Sequence, residues 1–413
     1  MPNPYNYSTV VTNPDMFFGR DAILNELYTR LRGMQSTSIV GLHRMGKSSL
    51  LRWLTQTLPD SLGQDFVPLC INLQDARYRT VADLVKMIAG ALNERLGGDL
   101  PVSDVADMKG FSKLVDQVCC SDIHPVLCLD EFEEFTKNSE EFNDKFLDAL
   151  RSLGAGAKLA MVTTSRVPLP DLIRAAQLGS PFYNIFSQLE LGLLEPGEAQ
   201  MLRREPFARE EITLSPENEA LVEELGGRHP YFVQMACYYL YEALCQPEGA
   251  QGDVADVVRE RFDRTAASHF EHLWDRLEND KRAALRAAIG KAVLTSETEQ
   301  VLKRLGHLGV VEKSDGHWRV FSATFARYVQ RMLELEQSAG RSQGIRGTAT
   351  ISKTPVLIIG LLILLTLVLL IAGALTTNIL SVILILLSAV SAGVLLFLTL
   401  WYRHDDHDDT GRT

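Results

Sequence analysis

The stretch that most restricts what this chain can become is Ser36-Thr37-Ser38-Ile39-Val40-Gly41-Leu42-His43-Arg44-Met45-Gly46-Lys47-Ser48-Ser49-Leu50-Leu51. A short β-branched run enters Gly41-x-x-x-x-Gly46-Lys47-Ser48, and an amphipathic run with Leu50, Leu51, Trp53 and Leu54 leaves it. That order predicts strand, loop and helix, the setting in which a glycine-rich loop turns its backbone N–H groups inward around a phosphate. The helix N-terminus adds a dipole that favours the anion. Gly41, Arg44, Met45, Gly46, Lys47, Ser48 and Ser49 are thus the expected nucleotide-contacting loop. Lys47 is placed to reach the β- and γ-phosphates, and the Ser48 hydroxyl to ligate Mg²⁺. A bland reading, in which the pattern arises by chance, does not account for the strand before it and the helix after it.

Such a site needs an acid at the end of a second buried strand. Pro125-Val126-Leu127-Cys128-Leu129-Asp130-Glu131 supplies it, since a continuous apolar run is what a central parallel strand looks like with both faces covered. Asp130 is expected to hold Mg²⁺ through its water shell, and Glu131 to orient or deprotonate the attacking water. A third run, Lys158-Leu159-Ala160-Met161-Val162-Thr163-Thr164-Ser165-Arg166, ends in polar residues. In ATPases with a catalytic glutamate this strand inserts between the other two, so Thr164, Ser165 and Arg166 are sensor candidates. Arg166 is favoured because a guanidinium suits a phosphate. The fold class expected is α/β, a P-loop NTPase parallel sheet.

With these motifs in hand, the chain resembles the STAND and origin-recognition-like branch of the AAA+ ATPases. It is most similar to prokaryotic AAA-like ATPases that open with Asn-Pro-Tyr and Phe-x-Gly-Arg motifs, here Asn3-Pro4-Tyr5 and Phe17-Phe18-Gly19-Arg20. The resemblance implies that Phe18, Gly19 and Arg20 lie against the nucleotide's base. It also implies that Gly226-Gly227-Arg228-His229-Pro230 carries the family's Gly-x-Pro motif, with Pro230 approaching the nucleotide from a helical lid. Without it, the stretch reads only as a helix C-cap followed by a proline-started helix. The likeness covers roughly residues 3–335. The chain departs from the family in having neither a ring-type arginine finger nor a long C-terminal repeat array.

Residues 280–289 and 297–308 are amphipathic at helical spacing, and Ser314-Asp315-Gly316 sits between two β-rich runs as a hairpin turn. Helix, helix, hairpin is a winged-helix outline. Lys303, Arg304, Lys313 and Arg319 give it a modest basic excess, but the formal net charge of the whole chain is −11. A phosphate backbone rewards clustered Lys and Arg, so packing or regulation is favoured over DNA binding.

The C-terminal end has a different composition. Residues 355–375 and 379–401 are nearly continuous apolar runs without a charge, split by Thr376-Thr377-Asn378. Each suits a hydrocarbon core of ~30 Å at 1.5 Å per residue, so they read as a two-helix transmembrane hairpin. Arg341, Arg346, Lys353 and Arg403 flank it, which places both ends in the cytoplasm of a cell inner membrane. Small residues at Ser388, Ala389, Ala392 and Gly393 allow close helix approach and self-association. The six cysteines show no metal-ligand spacing, and Cys70 and Cys128 lie in apolar runs where a thiol behaves as a small hydrophobe.

The expected organisation is an ATPase core over 1–190, a helical lid over 191–250 and a winged-helix domain over 251–336. A flexible linker over 337–354, the two spans and a tail over 402–413 follow. Functionally, the chain reads as an ATP- and Mg²⁺-dependent switch that couples nucleotide state to the hairpin, its protein or ligand trigger unidentified. The alternative is a membrane-tethered, ATP-dependent DNA-binding module. ATP is chosen over GTP because the guanine-reading Asn-Lys-x-Asp motif is missing.

Overall fold

The computed structural model describes residues 2–245, 253–290 and 294–346. The two expected transmembrane segments and the acidic tail lie outside the described residues. Residues up to Leu335 form one compact unit. From Glu336 the chain clusters separately, and its described part is helical backbone to Arg346.

An irregular opening segment leads to α1 (Asp21–Arg32) and then to β1 (Ser36–Val40) and α2 (Lys47–Leu62). Next come β2 (Phe66–Asn72), α3 (Val81–Arg95), α4 (Met108–Cys119), β3 (His124–Asp130), α5 (Glu133–Lys137) and α6 (Asp144–Ala155). β4 (Ala160–Ser165), α7 (Leu169–Ala175) and β5 (Phe186–Glu190) complete a sheet of order β2-β3-β4-β1-β5. All four strand pairings are parallel. β4 lies between β1 and β3, pairing Val162 with both Thr37 and Cys128, as the catalytic-glutamate pattern predicts.

The apolar runs bury both sheet faces. Val126 and Cys128 of β3 point into a core with Leu50, Leu51 and Leu54 of α2. Leu127 and Leu129 alternate to the other face, against α3, α4 and α6. Cys70 departs from expectation: β2 is an edge strand, and this residue is exposed, whereas Cys128 is buried.

Beyond the sheet lie α8 (Pro196–Arg209), α9 (Pro216–Gly226), α10 (Pro230–Cys245) and α11 (Val254–Asp275). They are followed by α12 (Asn279–Ile289), α13 (Ser296–His307), the β6 (Val311–Ser314) and β7 (His317–Val320) hairpin, and α14 (Ala323–Arg346). The helix, helix, hairpin order of the sequence is thus present. Lid and hairpin region are not separately packed, however. Phe207 of α8, Phe232 of α10, Phe262 and Phe270 of α11, Phe321 and Phe325 belong to one hydrophobic core, which also takes in Tyr5. The junction is tight at Gly227, the C-cap of α9 at φ +55°, where an added Cβ would stand 1.7 Å from the Phe321 carbonyl oxygen. Residues 337–346, expected to belong to a flexible linker, continue α14 instead.

Candidate functional site

The loop between β1 and α2 is shaped by its backbone. Gly46 caps α2 at φ +90° and Arg44 stands at φ +68°, both in the left-handed region that turns successive amides to one side. Gly41 is pressed against β5's exit, where an added Cβ would meet the Leu191 carbonyl oxygen at 2.8 Å. Lys47, the first residue of α2, is only 4 % exposed. Its Nζ donates to the carbonyl oxygens of Gly41 at 2.9 Å and Leu42 at 3.1 Å. Burial lowers its pKa, and Glu131, Glu133 and Asp130 oppose that shift. A buried ammonium whose recorded partners are two carbonyls, at a helix N-terminus, is a donor set suited to an anion.

The acids stand at the end of β3 as predicted. Asp130 is buried, and its Oδ1 accepts from Thr164 Oγ1 at 2.5 Å. Thr164 in turn accepts the Glu131 N–H at 3.1 Å, so this β4 hydroxyl ties the two acids together. Glu131 stands at φ +56°, a strained conformation for a non-glycine residue, and lines the cavity beside Lys47. Burial raises the Glu131 pKa, with Lys47 pulling the other way.

Arg166, expected to face the phosphates, does not line the cavity in this structure; its Nε donates to Glu133 Oε1 at 3.1 Å. Its electrostatic reach still covers Lys47, His43 and Glu131.

The cavity holds about 350 Å³, within the ~300–1,000 Å³ of small-molecule sites. Its floor is the loop from His43 to Ser49, including Arg44, Met45, Gly46, Lys47 and Ser48. Phe18 and Pro230 line it, joined by Tyr231 and Gln234 of α10. Gly19 does not: at φ +77° it is packed against Glu198 of α8, with 2.6 Å left for a Cβ. Arg20 borders the cavity, but its guanidinium is turned to carbonyls of Gly192 at 2.7 Å, Leu193 at 3.0 Å and Met45 at 3.3 Å. It is a buried clamp between the phosphate loop and the end of the sheet, and burial pushes its pKa down to about 10.

Sequence reasoning missed one wall entirely. Residues Asn6 to Val11 run across the cavity. They are fastened at both ends and in the middle. Asn3 Nδ2 donates to the Tyr238 carbonyl at 3.0 Å, and Tyr5 OH to the Arg203 carbonyl at 2.8 Å. Arg44 donates to the Tyr7 carbonyl at 3.3 Å, and the Val11 N–H to Ser49 Oγ at 3.2 Å. The Arg44 guanidinium also lies over the Tyr231 ring, 4.4 Å from its centre. Arg44 and Ser49 therefore hold the opening segment to the loop with their side chains.

The turn after α13 reaches the same loop from behind. Gly309, at φ +77°, is so close to the Met45 methyl that a Cβ would stand 2.6 Å from it. His307 Nδ1 is 2.6 Å from Glu190 Oε2, and Arg228 pairs with Glu312 of β6 at 2.5 Å.

The fold has been seen before in a solved structure. The Walker-type ATPase PABY2304 of Pyrococcus abyssi is 14% identical and superposes with a TM-score of 0.52, covering 78% of this chain and 99% of that one. The Aeropyrum pernix ORC2 protein, in its ADPNP–ADP complexes, is 15% identical with a TM-score of 0.47, covering 77% of this chain and 93% of that one. No curated protein matches the chain. Residues 35–292, well over half the sequence, match the family described as novel STAND NTPase 2. The match spans the loop between β1 and α2, both acids, and helices α8 to α11. With the loop, the acids and the five-stranded parallel sheet in agreement, this chain belongs to the novel STAND NTPase 2 family.

Proposed function

We propose that the chain is a membrane-anchored, ATP-hydrolysing switch whose nucleotide state is passed from the phosphate loop to a C-terminal membrane hairpin. The observation that carries the reading is the contact of Gly309 with Met45. Met45 belongs to the loop that would cradle the phosphates, so a change in that loop's shape reaches the helix-hairpin region through one side chain. Packed interiors transmit such displacements because they have no slack.

In this reading Lys47 leaves the Gly41 and Leu42 carbonyls for the β- and γ-phosphates. Ser48 and Asp130 would hold Mg²⁺, which when bound would supply positive charge opposite the phosphates. Glu131 accepts the proton of the attacking water. Phe18, Pro230, Tyr231 and the segment from Asn6 to Val11 enclose the base and ribose and exclude solvent. Nucleotide can shift the equilibrium only by binding two arrangements unequally, and the many contacts between opening segment, α10 and loop supply that inequality.

The winged-helix outline supports a packing role over DNA binding. Lys303 and His307 of α13 border a cleft facing Glu190, and Lys313 is paired with Glu299 at 3.1 Å. The apolar segments at 355–375 and 379–401 are read as the anchor, with both termini in the cytoplasm. Their role as an effector that self-associates through Ser388, Ala389, Ala392 and Gly393 rests on analogy with membrane-tailed signalling ATPases.

Two measurements test this. Hydrogen exchange of the full-length chain in detergent is expected to accelerate in residues 304–311 when MgATP is added, as the turn loosens from Met45. Identical exchange with and without nucleotide would disconnect loop from hairpin region. Second, the full-length chain is expected to stay with membranes through alkaline carbonate washing, while a chain ending at Leu335 is released. Release of both would remove the anchor.

A further inference from the structure

Glu133 is an acid for which the site chemistry so far has no task. It opens α5, immediately beyond the Asp130–Glu131 pair, and is only 6 % exposed. Its Oε1 accepts both the backbone N–H of Arg166, at 2.5 Å, and the Nε of the same residue, at 3.1 Å. Its Oε2 is buried and has no hydrogen-bond partner among the described residues. A carboxylate at this depth ordinarily fills its acceptor positions, because leaving one unfilled forfeits solvation without return.

The Arg166 side of the pair is equally incomplete. Its side chain is 25% exposed, and its two terminal nitrogens make no hydrogen bond among the described residues. The contact is a single Nε–Oε1 link, not the two-pronged fork that makes arginine–carboxylate pairs strong. The guanidinium is therefore held loosely, close enough to act on Lys47 and Glu131, with its fork unused. A phosphate oxygen pair is what that fork fits best.

We propose that Glu133 is a positioning residue that parks Arg166 away from the phosphate site and releases it when a third phosphate is present, thereby setting the ratio of ATP to ADP affinity. The proposal rests on the ATP reading above. ADP leaves the Glu133–Arg166 pair intact. ATP draws the guanidinium onto the γ-phosphate and leaves a buried carboxylate with only the Arg166 N–H as partner. That loss weakens ATP binding and not ADP binding, so the strength of the Glu133 hold is a discriminating term. A neutral amide of the same shape still accepts the Arg166 N–H but holds the guanidinium less firmly.

Calorimetric titration of the full-length chain in detergent with ADP and with a non-hydrolysable ATP analogue tests it. Glu133→Gln is expected to raise the ATP-to-ADP affinity ratio about fivefold or more, with ADP affinity itself unchanged, a size typical of coupling between sites. Arg166→Ala is expected to lower the ratio, and Glu133→Gln is expected to add nothing in that background. An unchanged ratio in Glu133→Gln, or the same rise with and without Arg166, would overturn the parking role while leaving the ATP reading intact. If Glu133→Gln does not fold, Arg166→Ala decides alone, and an unchanged ratio there overturns the proposal. Failure of the wild type to bind either nucleotide would overturn the proposal together with the reading beneath it.

Discussion

Lys47→Ala is expected to raise the dissociation constant of the full-length chain for MgATP by about a hundredfold or more, while leaving the fold in place. Charge-assisted hydrogen bonds contribute about 1.5–3 kcal/mol each, and Lys47 is placed to make two of them to phosphates. Their joint loss corresponds to about two to four powers of ten in affinity. The folded state should tolerate the change. Lys47 is a buried cation whose pKa is lowered by desolvation, so its removal relieves one cost. It exposes another, the unpaired carbonyls of Gly41 and Leu42. These oppose one another, and Tm is expected to move by only a few degrees. Calorimetric titration with MgATP, beside a thermal melt of the same sample, separates the two effects. Unchanged affinity in a folded variant would show that phosphates are bound elsewhere.

What the sequence disclosed and what it hid follow from the range of the contacts involved. The loop from Gly41 to Ser48, the acids at Asp130 and Glu131, and the insertion of β4 are each written in one short run. An apolar strand followed by a specific polar residue has few alternative structures. The opening wall was different. Asn3 reaches Tyr238, and Tyr5 reaches Arg203, across a sequence separation that no local pattern records. The tyrosines at 5 and 7 were a faint signal, since aromatic residues in an otherwise polar segment need somewhere to pack.

Arg20 and Arg166 were recognised as polar groups near the site, but the partners they hold in this structure were not foreseen. Guanidinium direction is decided by which acceptors lie within reach, and here those are the Gly192 and Leu193 carbonyls and Glu133. Glu133 drew no expectation from the sequence, where it is one of several acids following Asp130. It is held against the backbone of Arg166, just past the end of β4, which the residues from Asp130 to Glu134 do not reveal. The shared core of lid and hairpin region was likewise hidden, because Phe207, Phe232, Phe270 and Phe325 each look like the local core of their own helix.

Glu131→Gln is expected to lower ATP turnover by about 10²–10⁴-fold, the contribution of a positioned general base, while MgATP affinity stays within a few-fold of wild type. Glutamine preserves shape, and it keeps the N–H to Thr164 Oγ1 that ties residue 131 to Asp130. What it removes is the ability to take a proton. The pH dependence isolates that function. Desolvation by burial raises the Glu131 pKa, Glu133 and Asp130 add to the shift, and Lys47 limits it. A base works only when ionised, so kcat/KM is expected to climb with pH through a midpoint raised from glutamate's ordinary value and then level off. His43 does not complicate this limb. Burial, and then Arg44 and Lys47, push its pKa down to about 4, whereas the Glu131 pKa is moved the other way, upward. The residual turnover of Glu131→Gln should lack the acidic limb altogether. A variant that turns over normally, or keeps the limb, would move the base to another acid. Glu133 is then the candidate, since among the described residues it is the buried carboxylate near Lys47 that has an unfilled oxygen.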